Sequence, residues 1–119
     1  MPTILFSAPY MLPALQRFRA VLERHGLDLI TPVVEERLEE DAILKYAGQF
    51  EGAICGDDRY TARVLAACVP PLRVISKWGT GVDSIDSAAC ERLGVKLCRT
   101  PNAFTQAVAD SVMGYLLAF

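Results

Sequence analysis

The stretch that decides the fold is Leu72–Cys98, LRVISKWGTGVDSIDSAACERLGVKLC. It contains a short apolar run, a glycine-rich loop, a helix-like segment that ends at Gly94, and a second apolar run. A strand, a helix and a strand in that order form a βαβ unit, whose two strands pair in parallel through a right-handed crossover. The stretch therefore predicts part of an α/β fold.

The same alternation extends over the rest of the chain. The predicted strands are five short apolar runs, namely Thr3–Ser7, Leu27–Val34, Gly52–Cys55, Leu72–Ser76 and Val95–Cys98. A helix is predicted after each of them, the last from Thr105 to Phe119. Continuous apolar runs are typical of parallel strands that are covered on both faces. We therefore expect a flavodoxin-like, doubly wound, five-stranded parallel sheet in three α/β/α layers.

Composition excludes several classes of partner. The chain has 119 residues, 52% hydrophobic and 22% charged, with a net charge of −2. It has no basic stripe of the kind that binds nucleic acid. It also has no apolar run of the roughly 18 residues that indicate a membrane span and no basic leader. We expect one cytoplasmic domain that contacts neither nucleic acid nor membrane.

The four cysteines and the single histidine do not indicate a metal site. The cysteines form no C-x-x-C pair, and each lies in an apolar context of small residues. They are interpreted as small buried hydrophobes in a reducing compartment. His25 has no metal-ligand neighbour at useful spacing and is expected at the C-terminal end of a helix.

The glycine loop after the fourth strand is the first candidate site, because ligands of open parallel sheets bind beyond the carboxyl ends of the strands. A dinucleotide fingerprint that begins at Gly79 would need a third glycine at position 84, where the chain has Ser84. No nicotinamide or flavin pyrophosphate site is therefore predicted. Its backbone N–H groups can instead bind a carboxylate or a phosphate, and a plain tight turn remains the alternative.

The loop after the third strand is the second candidate. Asp57 and Asp58 are adjacent carboxylates, too few to bind a hard cation without partners elsewhere. A solvated turn is the preferred interpretation for both. Lys77, beside the glycines, is expected to pair with an anion or with one of these aspartates.

The last segment, Thr105–Phe119, is apolar on two adjoining stripes and polar only in its first half. A surface helix of a complete domain normally keeps a polar face along its length. Two interpretations remain open from the residues alone. The helix either docks in the core or at an oligomer seam, or it leads into a second domain of a longer protein.

Three motifs, GTGVDSID, TPN and AVAD leading into an apolar helix, occur in this order after the fourth strand. In that order and spacing they resemble the D-isomer-specific 2-hydroxyacid dehydrogenases, most closely the phosphoglycerate dehydrogenase-like members. The resemblance is strong over Leu72–Phe119, and the earlier part matches in layout.

The resemblance implies a cytoplasmic, homodimeric oxidoreductase that transfers hydride between NAD or NADP and a 2-hydroxy or 2-keto acid. It implies that residues 1–119 are a fragment, the N-terminal part of the substrate-binding (catalytic) domain. The Rossmann domain and the family's catalytic Arg, Glu and His would lie beyond residue 119. No catalytic, cofactor-binding or metal-binding residue is then expected in this chain, which alone would bind no NAD and be inactive.

The resemblance also implies the substrate-binding residues. The substrate carboxylate would be held by the backbone N–H groups of Thr80 and Gly81, with Val82 adjoining, while Gly56 and Asp57 would lie near the substrate. Two departures concern specificity. Many relatives have Arg-Ser after the third strand, where this chain has Cys55, Gly56 and Asp57. Many also have Asn where this chain has Phe104, which has no polar side-chain group.

A stand-alone flavodoxin-like binding or receiver-type module without enzymatic activity is the alternative. A response-regulator receiver has the same layout, and Asp57 and Thr80 fit its pattern loosely. However, the segment after the first strand, SAPYM, contains no acid, and Arg99-Thr100-Pro101 follows the fifth strand where a receiver has Lys. Without an acidic pair, Mg²⁺ has too few oxygen ligands.

Overall fold

The computed structural model describes residues 2–9, 11–79 and 81–99. The strands in this part of the chain are β1 Thr3–Phe6, β2 Asp28–Ile30, β3 Gly52–Cys55, β4 Val74–Lys77 and β5 Lys96–Cys98. The helices are a 3-10 turn at Leu12–Ala14, α1 Leu15–Arg24, α2 Glu40–Leu44, α3 Ala62–Cys68 and α4 Ser87–Leu93. The predicted alternation of strands and helices is confirmed over these ranges.

All five strands pair in parallel, in the order β2-β1-β3-β4-β5. This is the flavodoxin-like order, so the predicted fold class is confirmed. Ala53 in the central strand β3 lies opposite Leu5 of β1 and Ile75 of β4. The chain order reverses between β1 and β3, and such a switch point is where open α/β sheets have their crevice.

Two strand predictions were displaced by more than one residue, whereas β1 and β5 are each one residue shorter than predicted. Strand β2 covers only Asp28–Ile30, not Leu27–Val34, and it lies at the edge of the sheet as Pro32 suggested. Strand β4 begins at Val74, two residues later than predicted, because the amide of Leu72 still donates to the carbonyl of Cys68 at 3.1 Å. At its other end, β4 extends to Lys77, which was predicted as the first residue of the loop.

Local signals define the helix ends. Thr61 is the N-cap of α3, since its hydroxyl oxygen accepts from the amide of Val64 at 3.4 Å. Asp86 is the N-cap of α4, since its Oδ1 accepts from the amide of Ala89 at 2.9 Å. Gly94 ends α4 with φ +76°, a conformation that glycine adopts without steric cost.

The core lies between the sheet and helices α2 to α4. Leu5, Ala53 and Ile75 from neighbouring strands are buried there, together with Phe50 and Tyr60 from the connections. Cys55, Cys68 and Cys90 are buried and Cys98 is half-buried, all as free thiols, which confirms the interpretation of the cysteines as small hydrophobes. On α1, by contrast, Phe18 and Val21 stay exposed.

Some predictions lie outside the described residues. These are the last helix, the TPN motif, Phe104 and Thr80. In the part of the chain that the structure describes, no helix has the length and apolarity needed to cross a bilayer.

Candidate functional site

The loops that follow β1, β3 and β4 meet at the carboxyl edge of the sheet. The amide of Ser7 donates to the carbonyl of Ile54 at 2.8 Å, and the amide of Trp78 donates to the carbonyl of Cys55 at 2.7 Å. These bonds continue the parallel ladders beyond the strand ends. The first residues of the loops therefore have fixed positions relative to one another.

The glycine loop turns sharply at its start and is anchored at its end. Gly79 has φ +140°, a backbone conformation that L side chains rarely adopt. At the other end, the amide of Tyr60 donates to the carbonyl of Ser84 at 3.0 Å and the amide of Asp86 donates to the carbonyl of Tyr60 at 2.9 Å. The loop is thus held to the segment that follows β3.

A cavity of about 550 Å³ opens beside this loop. Its lining consists of Arg37, Asp57, Arg59, Lys77, Trp78, Gly79, Gly81, Asp83 and Ser84. A second cavity of about 270 Å³ adjoins it and is lined by Pro9, Glu35, Glu36, Gly56, Asp57 and Trp78. We call these the glycine-loop cavity and the acidic cavity.

The structure brings most of the predicted site residues to this edge. Gly81 and Asp57 line the glycine-loop cavity, while Gly56 and Asp57 line the acidic cavity. Val82 follows Gly81 in the chain and is half-buried. Thr80 lies outside the described residues, so the structure places one of the two predicted amide donors.

Gly56 has a packing role beside its predicted place near a substrate. It is buried, and a Cβ atom at this position would lie 2.8 Å from Cδ of Pro9 in the loop after β1. Any larger residue would push these two loops apart. The absence of a side chain at Gly56 therefore lets the loops after β1 and β3 lie in contact.

Lys77 and Asp57 form an ion pair between the ends of β4 and β3. Lys77 Nζ lies 2.5 Å from Asp57 Oδ1, and the side chain of Lys77 is 5% exposed while that of Asp57 is 75% exposed. A buried ammonium is costly without an anionic partner. The predicted pairing of Lys77 with one of the two aspartates is thus resolved in favour of Asp57, which remains solvated.

Asp58 contradicts the prediction of a solvated turn. It is fully buried, accepts a hydrogen bond from the hydroxyl of Ser7, and accepts another from the amide of Leu38 at 2.7 Å. Burial raises the pKa of the Asp58 carboxyl above its usual range, although these hydrogen bonds and nearby Lys77 act in the opposite direction. Asp58 therefore joins the loop after β1 and the segment before α2 to the loop after β3.

Arg37 and Arg59 are site residues that sequence reasoning missed. Both line the glycine-loop cavity, and both approach Glu39, with Nε to Oε distances of 3.0 Å and 3.8 Å respectively. The amide of Arg59 also donates to the carbonyl of Leu38 at 3.0 Å. Nothing local in the acidic run around Arg37 signals this position, because the contact depends on the loop after β3.

The glycine loop does not match the fingerprint of a nicotinamide dinucleotide site. Ser84 occupies the third glycine position, and α4 begins only at Ser87, so five residues separate Gly81 from the helix. A pyrophosphate site needs a glycine loop that opens directly into a helix. Within residues 2–9, 11–79 and 81–99, no group of three His, Cys, Asp or Glu side chains is placed to hold a metal ion. His25 is the exposed C-cap of α1.

A flavodoxin-like domain with a glycine loop beside a polar cavity at its strand ends belongs to the ligand-binding domains of α/β proteins. The sequence profile of the D-isomer specific 2-hydroxyacid dehydrogenase family, catalytic domain, matches residues 4–113. The chain belongs to this family.

Three curated relatives are named as reductases or as a dehydrogenase. The hydroxypyruvate reductase of Thermotoga maritima is 31% identical over 87 residues, which cover 72% of this chain and 28% of that protein. A glyoxylate/hydroxypyruvate reductase of Arabidopsis thaliana is 26% identical, covering 98% of this chain and 35% of its own length. The D-3-phosphoglycerate dehydrogenase of Rattus norvegicus is 30% identical, covering 83% and 18%. The chain thus spans about a third or less of these relatives.

Solved structures agree with the fold. A Thermus thermophilus protein superposes with a TM-score of 0.76 at 29% identity, covering 98% of this chain and 36% of that one. The NAD⁺-bound 3-phosphoglycerate dehydrogenase of Entamoeba histolytica gives the same TM-score, 0.76, at 22% identity, covering 95% and 37%. The second likeness supports the fold alone.

Proposed function

We propose that this chain is the substrate-binding domain of an NAD(P)-dependent D-2-hydroxyacid dehydrogenase. The observation that carries the proposal is the glycine-loop cavity, at the strand ends of a chain that belongs to this family. Relatives named as hydroxypyruvate reductase and phosphoglycerate dehydrogenase support an acid substrate. The reaction is hydride transfer between the cofactor and a small 2-hydroxy or 2-keto acid.

In this proposal the glycine loop binds the carboxylate of the substrate. The amides of Thr80 and Gly81 donate to its two oxygens, and Val82 adjoins them. Fixed N–H donors suit a planar carboxylate because charge-assisted hydrogen bonds are stronger than neutral ones. The side chain of the substrate then faces Asp57, which follows Gly56 in the loop after β3 and is already neutralised by Lys77.

The nicotinamide cofactor is bound elsewhere in the natural protein, by a Rossmann domain that residues 1–119 do not contain. The residues at positions 79–84 do not suit a pyrophosphate, and the matched segments cover only 35%, 28% and 18% of the three relatives. NAD as opposed to NADP, the homodimer and the cytoplasmic location stay predictions. A stand-alone receiver-type module is not favoured, since the chain belongs to a dehydrogenase family.

The test replaces the amide donor at position 81 in the natural full-length protein. Gly81→Pro removes the N–H, whereas Gly81→Ala keeps it, and a Cβ atom there meets no atom within 4 Å. A hydrogen bond to a charged group contributes about 1.5–3 kcal/mol. Gly81→Pro should therefore lower kcat/KM for 2-keto acids about 10- to 100-fold relative to Gly81→Ala.

The assay measures NADH or NADPH oxidation with pyruvate, hydroxypyruvate and phosphohydroxypyruvate. A wild-type protein that reduces none of these or related 2-keto acids would overturn the proposed function. Equal kcat/KM for the proline and alanine variants would remove Gly81 from the carboxylate site while leaving the reaction in place.

A further inference from the structure

Trp78 lies between the two cavities at the carboxyl edge of the sheet. It lines both the glycine-loop cavity and the acidic cavity, and only Asp57 shares that position among their lining residues. Its backbone is held by the hydrogen bond from its amide to the carbonyl of Cys55 at the end of β3, and the residue is 38% exposed. Trp78 therefore borders both spaces from a backbone position that this hydrogen bond anchors.

The two spaces differ in size and in charge. The glycine-loop cavity, at about 550 Å³, lies within the range of about 300–1,000 Å³ that is usual for ligand sites. Its described charged groups are three cations, Arg37, Arg59 and Lys77, and two carboxylates, Asp57 and Asp83. The acidic cavity, at about 270 Å³, is lined by the carboxylates of Glu35, Glu36 and Asp57, and none of its described lining residues is cationic.

We propose that Trp78 is a specificity-determining residue that confines the substrate to the glycine-loop cavity and limits the length of its side chain. The inference rests on the proposed function, because it starts from a carboxylate bound at Gly81. A substrate held there lies beside the indole, which is only one residue from Gly79. A longer side chain can pass into the acidic cavity only if the indole is removed.

The second part of the inference concerns the charge of the substrate side chain. Beyond Trp78, the substrate side chain would meet Glu35 and Glu36, which are both exposed carboxylates. Like charges at short range are unfavourable even when they are partly solvated. Opening this boundary should therefore admit an uncharged extended side chain and should continue to reject one that ends in a carboxylate.

The experiment compares wild-type, Trp78→Ala and Trp78→Phe in the natural full-length protein. The substrates are pyruvate, 2-oxohexanoate, and 2-oxoadipate, which has the length of 2-oxohexanoate and ends in a carboxylate. One methylene in an apolar pocket changes specificity by about 10-fold or more. In Trp78→Ala, kcat/KM for 2-oxohexanoate relative to that for pyruvate should rise about 10-fold. The same ratio for 2-oxoadipate relative to pyruvate should rise less than about 3-fold.

Trp78→Phe is the matched control, because it keeps an aromatic boundary and should retain the wild-type preference for pyruvate. When Glu35→Gln and Glu36→Gln are added to Trp78→Ala, kcat/KM for 2-oxoadipate relative to that for pyruvate should also rise. If Trp78→Ala fails to fold in a thermal unfolding scan, Trp78→Leu takes its place with the same expectations.

Calorimetric binding of the same three acids separates this inference from the proposed reaction. A protein that reduces no 2-keto acid, but whose Trp78→Ala variant gains affinity for 2-oxohexanoate over pyruvate, would refute the reaction and support the role of Trp78. An unchanged length preference in both the kinetics and the binding would overturn the role of Trp78, whatever the reaction.

Discussion

At the scale of single residues, Asp58 shows how a buried carboxylate can serve as a structural connector. Its two hydrogen bonds reach Ser7, 51 residues away, and Leu38, 20 residues away. Buried polar groups with such partners are costly to lose, because truncation leaves an amide unpaired in the interior. Asp58 thus positions the loops that frame both cavities and does not itself line either cavity.

The raised pKa of Asp58 gives a prediction about pH. A carboxyl whose pKa is higher in the folded state than in the unfolded state stabilises the fold fully below the unfolded pKa, near 3.8. This contribution is lost as the pH rises through the folded pKa. Asp58→Asn, which stays neutral and still accepts from the amide of Leu38, should not lose it.

The measurement is the free energy of unfolding in urea as a function of pH. Relative to the wild-type protein, Asp58→Asn should gain stability as the pH rises from the acid range towards neutrality. Asp83→Asn, a change at an exposed carboxylate of the neighbouring loop, serves as the control and should follow the wild-type profile. A parallel profile for Asp58→Asn and wild-type would contradict the role of burial in this pKa.

At the scale of elements, the N-cap of α4 distinguishes between two aspartates that are close in sequence. Asp83 and Asp86 both precede the helix, and only Asp86 accepts from the amide of Ala89. Loss of an N-cap side chain costs about 0.5–2 kcal/mol. Asp86→Ala should therefore lower the free energy of unfolding by about 1 kcal/mol, whereas Asp83→Ala should change it by less than about 0.5 kcal/mol.

Asp86→Asn supplies the second control, because asparagine also accepts from a helix amide and should retain most of the stability. Urea unfolding of the three variants gives the comparison. Equal losses for Asp83→Ala and Asp86→Ala would show that the cap contributes nothing beyond the negative charge near the helix N-terminus.

The elements were predictable because their signals are local. The five strands follow from apolar runs, Gly94 marks a helix end, and the parallel pairing follows from the alternation of strands and helices. The glycine loop was predictable for the same reason, since it follows a strand directly. Strand ends moved by more than one residue only at β2 and β4, where prolines and a continued helical turn overlap with apolar runs.

The rest of the site depends on contacts between distant segments. Arg37 reaches the glycine-loop cavity from an acidic run before α2, and Asp58 is buried only because Ser7 and Leu38 converge on it. Neither residue differs in its sequence neighbourhood from a solvated polar residue. Lys77 had three potential partners in the sequence, and only the parallel register of β3 with β4, which places Cys55 opposite Lys77, selects Asp57.

At the scale of the whole molecule, the proposal that substrate and cofactor bind to different domains leads to a prediction about binding. The described residues form a cavity beside a glycine loop, lined by three cationic side chains and two carboxylates, and the proposal places a small acid there. The loop has Ser84 where a dinucleotide fingerprint has its third glycine, and five residues separate Gly81 from α4. The amides of this loop therefore cannot act together with a helix N-terminus on a pyrophosphate.

We accordingly expect residues 1–119 to bind no NAD at micromolar concentration and to reduce no 2-keto acid alone, while the natural full-length protein does both if it contains the Rossmann domain. Calorimetric titration of the 119-residue chain with NAD, NADP and pyruvate makes the measurement. Heat from pyruvate that is lost in Gly81→Pro, with no heat from either dinucleotide, is the expected result. Saturable micromolar binding of NAD would instead require a cofactor site within these residues, and the separation of substrate and cofactor sites would fail.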